Sequence, residues 1–246
     1  MLLDESLMEI PWAGSIPATR YRAKIDFVSP PTRRDTFELE RECFLGVSLE
    51  NRNFEPARFH SLLEWVSRRF TKCKILVGDG IHRLTLESRT RMPATEARDR
   101  ALRLGREFMR ENRDILALYR SITQFEFITC SEIQQTSEYS AHHQAISDYF
   151  LDTPEFRESV ERFGLRYHRG DRNTLSEAEQ NYRLNISSSY FIEEFSVFAC
   201  LVNRGITVMV YPGSFSTLAE IADNRFPGVS KALESLCVVS LHFKKR

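Results

Sequence analysis

Ser48 stands where an apolar run, Cys43-Phe44-Leu45-Gly46-Val47, gives way to the polar Glu50-Asn51-Arg52-Asn53. An apolar run of this length reads as a buried strand. A serine where such a strand leaves the sheet presents its hydroxyl to the crevice in which open α/β folds bind ligands. Gly46, two residues earlier, removes a side chain and lets a substrate backbone approach. A helix predicted from about Pro56 to Phe70 follows, with Phe59, Leu62, Leu63, Val66 and Phe70 on the face that packs against the sheet. Strand, G-x-S and helix are the setting of a nucleophilic serine. The hydrolase elbow is G-x-S-x-G, however, and Glu50 takes the place of the second glycine. Two readings therefore stand on this segment alone: a nucleophile, or a strand-end serine that caps its turn.

A second segment bears on the choice. The spacing predicts a helix from about Ser176 to Val202 that is apolar on nearly every side towards its end, and a helix apolar all round is buried. It carries Tyr190 and Glu194, four residues apart and so on one face, continued by Ile186, Val197, Phe198 and Leu201. Glu194 is thus a carboxylate on a buried stripe, which is rare without a partner because desolvating the charge is costly. A desolvated carboxylate beside a tyrosine is one way to prepare a proton acceptor. The alternative is an ion pair between Glu194 and a core arginine. Glu193, one step round, is expected to reach solvent.

Other residues able to do chemistry carry weaker signals. A helix predicted from about Pro93 to Tyr119 bears Arg100, Arg103, Arg106, Arg110 and Arg113, whose steps of three, three, four and three put all five on one face. Arginines so placed can pair with phosphates through their planar forks. Equally, Glu96–Arg100, Asp99–Arg103 and Arg110–Asp114 have i,i+4 spacing, and the face then reads as solvated and internally paired. His82 follows a strand end and reads as a loop histidine. His142 and His143 are adjacent on a helix and point apart, so they form no metal pair. Gly78-x-Gly80 lacks the rest of a dinucleotide fingerprint, and there is no phosphate-cradling Walker loop. No cofactor and no metal is expected.

These residues need a scaffold. Predicted strands at about 20–28, 43–48, 74–79, 125–129, 206–211 and 237–243 alternate with helices at about 56–70, 93–119, 137–150, 154–166 and 176–202 and a short one from Ser216. Such alternation argues for a parallel sheet with helices on both faces. The first strand alternates polar and apolar residues and stops at Pro30-Pro31, so it reads as half-exposed. We expect an N-terminal extension with a short strand over residues 1–40, its first nineteen residues loosely held, and a single catalytic domain over 41–246. The 246 residues are 42% hydrophobic and 28% charged, ordinary values for a chain that fills a core. No apolar stretch reaches the ~18 residues needed to span a bilayer. The first twenty residues, with Asp4, Glu5 and Glu9, do not resemble a signal peptide. Five scattered cysteines without C-x-x-C spacing suggest neither a disulfide framework nor zinc, and a reducing cytoplasm fits. With 34 basic and 34 acidic residues, any surface for nucleic acid must be local.

Three blocks in this order carry a resemblance: Phe44-Leu45-Gly46-Val47-Ser48-Leu49-Glu50-Asn51-Arg52-Asn53-Phe54, Ser189-Tyr190-Phe191-Ile192-Glu193-Glu194, and Val210-Tyr211-Pro212. Together with Ser131-Glu132-Ile133-Gln134-Gln135-Thr136-Ser137-Glu138-Tyr139, they resemble the tRNA-dependent cyclodipeptide synthases over roughly Glu42 to the C-terminus. The resemblance implies a Rossmann-like fold similar to the catalytic domain of class I aminoacyl-tRNA synthetases. It implies an aminoacyltransferase that takes two aminoacyl-tRNAs and releases a cyclic dipeptide. By the same analogy Ser48 accepts the first aminoacyl group, Tyr190 and Glu194 hold its α-ammonium and assist proton transfer, Tyr211 relays a proton for cyclisation, and Asn51 lies beside Ser48. The arginine stripe resembles the basic helix with which family members hold the tRNA body. One branch of the family has asparagine three residues after the serine, and the other has proline after the last tyrosine. This chain has both, Asn51 and Pro212. The ATP-binding motifs of the synthetases are missing, which fits an acyl donor already activated as a tRNA ester. A monomer is expected. A serine hydrolase or simple acyltransferase, and a non-catalytic tRNA-binding protein, are the competing readings. The first requires a Ser-His-acid arrangement that His168 and His242 are poorly placed to supply.

Overall fold

The computed structural model describes residues 19–167, 175–213 and 216–246. Most of the expected loose N-terminal segment, and His168, lie outside the described residues. The strands are β1 (Tyr21–Ser29), β2 (Glu42–Val47), β3 (Lys72–Val77), β4 (Gln124–Thr129), β5 (Val208–Pro212) and β6 (Cys237–Lys245). The helices are α1 (Pro56–Ser67), α2 (Asp79–Thr90), α3 (Ala94–Glu111), α4 (Arg113–Ala117), α5 (Cys130–Ile133), α6 (Ser137–Asp152), α7 (Pro154–Tyr167), α8 (Glu177–Asn203), α9 (Ser216–Ala222) and α10 (Lys231–Glu234).

The strands form one sheet in the order β1-β6-β5-β2-β3-β4. From β6 to β4 every pairing is parallel. Numbered from β2, these five strands run 3-2-1-4-5, the doubly wound order of dinucleotide-binding folds. The sheet as a whole is mixed, because β1 pairs antiparallel with β6 from Tyr21↔Lys245 to Ser29↔Val238. Its alternating sequence suits an edge strand with one buried face.

Alternate residues of the central strands feed two cores. Phe44, Leu76, Met209 and Val238 face the layer of α5–α10, dominated by α8. Leu45, Ile75, Val210 and Val239 face α1 and the half-buried Phe108, Ile115 and Leu116 of α3 and α4. Ser176 caps α8, its hydroxyl accepting from the Glu179 N–H at 3.3 Å, and every residue from Ile192 to Val202 is buried.

Two helices differ from expectation. The 93–119 helix is broken: the Asn112 side chain donates to the Phe108 carbonyl at 2.8 Å, and its backbone (φ −102°, ψ 4°) leaves the helical region. An asparagine amide competing for the backbone in this way disfavours helix continuation. Arg113 therefore belongs to α4 and is not part of a single five-arginine helix face. The second difference is α2, which begins directly after β3 where His82 reads as a loop residue. Asp79 opens it. One Asp79 oxygen accepts from Gly80 N at 2.6 Å and Ser131 N at 2.9 Å; the other accepts from Ser131 Oγ at 2.6 Å.

Candidate active site

The strand order reverses across the sheet between β2 and β5, and ligands of open α/β sheets bind at such a switch point, beyond the carboxyl ends of the strands. Ser48 follows the last residue of β2 and Tyr211 is the penultimate residue of β5. Their hydroxyls are hydrogen-bonded, Oγ to Oη, at 2.9 Å. Asn51 Nδ2 donates to the same Tyr211 oxygen at 3.5 Å, and its Oδ1 accepts from Asn53 N at 2.9 Å. Asn53 Nδ2 donates to the Pro212 carbonyl at 2.9 Å. The loop after β2 is thus tied to the end of β5, and Asn51 and Pro212 serve one arrangement. A Cβ built on Gly46 would touch the Tyr211 ring and the Met209 methyl at 3.5 Å each. Glycine there leaves a gap alongside Tyr211, part of a recess that also reaches Ser48 and Glu194.

These groups open into a cavity of about 550 Å³, walled by the Ser48–Asn53 loop, the 82–89 face of α2, the 186–194 face of α8, Phe163 and Gly164 of α7, and Tyr211–Gly213. The size suits a small-molecule site. α8 contributes Tyr190 and Glu194 from one side, as their spacing required. The Tyr190 hydroxyl lies beside both Ser48 and Glu194. Burial drives its pKa well above the ordinary phenol value, and the neighbouring Glu194 charge adds to this. Glu194 Oε2 is buried without a hydrogen-bond partner. Desolvation lifts the Glu194 carboxyl from its ordinary 4.5 to about 8, against a smaller opposing effect of Tyr190. An enclosed carboxyl with one unsatisfied oxygen can receive a cationic donor from a substrate.

Glu193 does not reach solvent. It is buried, and its carboxylate takes a two-point contact from Arg83, at 2.5 and 2.8 Å, with Gln134 Nε2 at 2.8 Å. The structural ion pair envisaged for Glu194 therefore belongs to its neighbour. Successive residues on a helix point about 100° apart, so one enters the cavity while the other anchors α8 to α2 and the segment after α5.

His82, expected in a loop, is instead a buried residue in the first turn of α2, lining the cavity with Nε2 3.1 Å from Glu50 Oε2. The apolar Ile81, Leu84 and Leu86 were the available signal for the helix. Among the described residues no histidine bonds Ser48, so a Ser-His-acid arrangement is not assembled here.

The arginines lie away from the cavity floor. Arg103, Arg106, Arg110 and Arg113 are exposed, whereas Arg100 is half-buried and approaches Glu50 Oε1 at 3.9 Å. Among the described residues the three anticipated i,i+4 pairs do not form; Arg110 meets Glu111 at 3.8 Å instead. The Glu138, His142 and Cys200 donor atoms lie within 4.8 Å of one another. Two of them already have protein partners: Asn203 bonds His142 at 2.9 Å, and the Arg204 guanidinium bonds Glu138 at 3.4 Å. Among the described residues no helix is long and apolar enough to cross a membrane.

Solved structures share this fold. A cyclodipeptide synthase from Fluoribacter dumoffii superposes with a TM-score of 0.77 at 20% identity, over 93% of this chain and 100% of that one. A Mycobacterium tuberculosis protein, described as showing that cyclodipeptide synthetases are related to type I tRNA synthetases, gives 0.66 at 15% identity, over 94% and 96%. A synthase from Candidatus Glomeribacter gigasporarum bound to Phe-tRNAPhe gives 0.62 at 16%, over 83% and 88%. No curated protein matches the sequence. The sequence profile described as "Cyclodipeptide synthase" matches residues 30–224, most of the chain and the whole span from before Ser48 to beyond Tyr211, and the protein belongs to the cyclodipeptide synthase family.

Proposed function

We infer that Ser48 is the nucleophile of two-substrate aminoacyl transfer and carries both the aminoacyl and the dipeptidyl group as esters. As a cyclodipeptide synthase the chain is an aminoacyltransferase that joins the amino acids of two aminoacyl-tRNAs into a cyclic dipeptide. The observation that carries the assignment to Ser48 is its 2.9 Å hydrogen bond to Tyr211 in a cavity that also holds Glu194, one of whose carboxyl oxygens has no partner.

The chemistry follows in three transfers. Ser48 Oγ attacks the ester carbonyl of the first aminoacyl-tRNA. The new C–Oγ bond replaces the bond to the ribose oxygen, which leaves with the serine proton passed through Tyr211. An acyl-serine divides a difficult exchange into easier steps. The bound α-ammonium then gives a proton to Glu194, and the freed amine attacks the ester carbonyl of the second aminoacyl-tRNA. That tRNA leaves, and a dipeptide remains on Ser48. Finally the terminal amine of this dipeptide attacks the seryl ester, the ring closes, and Tyr211 returns a proton to Ser48 Oγ. Each ester is already activated, so no nucleotide is consumed. Tyr190 holds the ammonium beside Glu194, Asn51 steadies Tyr211, and the exposed arginines of α3 offer charge to tRNA phosphates. A Candidatus Glomeribacter relative seen with Phe-tRNAPhe supports tRNA as the acyl carrier.

Ser48→Ala tests the assignment. Incubated with a fully charged tRNA mixture, the wild-type chain should gain the mass of an aminoacyl group and yield cyclic dipeptide. The variant should do neither. A variant that still gains the adduct places the nucleophile elsewhere.

A further inference from the structure

Each amide made from an ammonium and an ester leaves one proton over after the alcohol has departed. Two amides form per cyclic dipeptide, so each cycle must dispose of two protons from two different amines. Glu194 is placed to take the first. In its ionised form the carboxyl takes one proton, and burial, which raises its pKa to about 8, favours keeping it, so it cannot serve the second amine until it has lost the first. The ring-closing amine needs another acceptor.

The cavity contains one. His82 is only 5% exposed and lines the cavity from α2, on the same helix face as Thr85 and Arg89, whereas Glu194 lines it from α8. Its Nε2–H points to Glu50 Oε2 at 3.1 Å. Nδ1 hydrogen-bonds no described residue, so in this tautomer it carries a free lone pair. A carboxylate behind an imidazole fixes the tautomer and steadies the imidazolium once a proton arrives. Glu50 is itself held in place. Its backbone is left-handed, φ +58°, a conformation that a non-glycine residue keeps only when its surroundings enforce it. His82 and Arg100 grip its two carboxylate oxygens, at 3.1 and 3.9 Å. Glu50 lies two residues beyond Ser48, which fixes the pair to the nucleophile's own loop. Burial lowers the His82 pKa, Glu50 opposes this, and Arg89 and Arg100 lower it further. The ring is therefore neutral, and able to accept, at physiological pH.

We propose that His82, backed by Glu50, is the proton acceptor for the second amine, the one that closes the ring. The imidazole Nδ1 takes a proton from the terminal ammonium of the dipeptidyl-serine. The amine forms the C–N bond as the C–Oγ bond to Ser48 breaks, and the imidazolium later releases the proton to solvent. This rests on the acyl-serine reading above.

The test is intact-mass analysis of His82→Gln and Glu50→Gln with a fully charged tRNA mixture, alongside circular dichroism. Aminoacyl loading of Ser48 should proceed as in the wild type. The dipeptidyl-enzyme should then accumulate and cyclic product fall roughly 100-fold, the lower end of the range for positioned acid–base catalysis. Added imidazole should restore part of the product in His82→Gln. Glu50→Gln keeps the buried ring in place, so it reads the same step should His82→Gln misfold. The proposal is overturned if folded variants turn over dipeptidyl-enzyme normally, or if loading falls as much as product, which would make the pair a positioning device for the Ser48 loop. An absence of any adduct on the wild-type enzyme would instead overturn the acyl-serine reading itself.

Discussion

Glu193 and Glu194 are chemically identical neighbours with opposite surroundings. Glu193 is saturated by Arg83 and Gln134, whereas Glu194 keeps a bare oxygen beside Tyr190 and the nucleophile. Their amide variants should therefore diverge. Glu194→Gln should fold, since an amide is cheaper to bury than a carboxylate, and should lose cyclic dipeptide formation by about 10²–10⁴-fold. Glu193→Gln should keep the cavity chemistry while weakening a buried ion pair. The loss is about 2–4 kcal/mol of stability, somewhat below that of a sealed pair because a quarter of the Arg83 side chain is exposed. The pH dependence gives a second readout. Folding raises the Glu194 pKa from 4.5 to about 8, so between those values the folded chain keeps a proton that the unfolded chain has released. This contribution to stability is complete below about pH 4.5, declines as pH rises, and is gone above about 8. Melting temperature should fall less between pH 5 and pH 8 in Glu194→Gln than in the wild type. The kcat/KM of the wild type should rise towards pH 8 as the ammonium-binding carboxylate appears, and this limb should vanish in the variant. Equal pH slopes in the two proteins would remove Glu194 from both arguments.

Between residue and molecule stands the contact of α2 with α3. α3 buries a stripe of small residues, Ala97, Ala101 and Gly105. At Gly105 an added Cβ would lie 2.6 Å from the Cβ of Asp79. Asp79 cannot retreat without losing its bonds to Gly80 and Ser131. Gly105→Ala should therefore destabilise the fold by roughly 1–3 kcal/mol through overpacking, although alanine alone favours a helix by about 1 kcal/mol. Chemical denaturation measures this; a more stable variant would mean that α3 moves freely against α2. The same region marks how far sequence reaches. α8 was legible because a serine cap, a long apolar run and the four-residue step from Tyr190 to Glu194 are local signals. The strands of the switch point were legible for the same reason. The burial of Glu193 was not, since its partner Arg83 lies 110 residues away and helical periodicity is silent on a helix buried all round. Nor was α2, whose opening glycines imitate a loop and are instead required by close contacts: a Cβ on Gly80 would lie 2.3 Å from the Gln134 side chain. The break at Asn112 depends on a single side-chain bond to a carbonyl, which residue type alone does not announce.

At the scale of the molecule, charge must be organised because it cannot be abundant. The chain carries 34 basic and 34 acidic residues, so no net field draws a polyanion. Arg103, Arg106 and Arg110 nevertheless stand exposed along α3, and among the described residues Arg103 and Arg106 form no ion pair, while Arg110 has only its 3.8 Å approach to Glu111. The fold leaves them there: α3 turns its small residues inward against α2, and its arginines occupy what remains. Arg100, on the same helix, reaches back to Glu50 at the cavity wall, so the basic face and the reactive cavity adjoin. If that face holds tRNA, replacing Arg103, Arg106 and Arg110 together by alanine should weaken binding of bulk tRNA and reduce its salt dependence. The slope of log K against log salt should shrink by about 0.7–0.9 for each arginine that meets a phosphate. The circular dichroism spectrum and melting temperature should hold, because the three side chains are exposed and substitutions away from packed features usually change stability by under about 0.5 kcal/mol. Aminoacyl loading of Ser48 should become limiting at low tRNA concentration and recover at high concentration, since the reactive groups are untouched. Filter binding across a salt series decides the matter. A triple variant with an unchanged slope would make the stripe a solvated face and require another surface to hold the tRNA body.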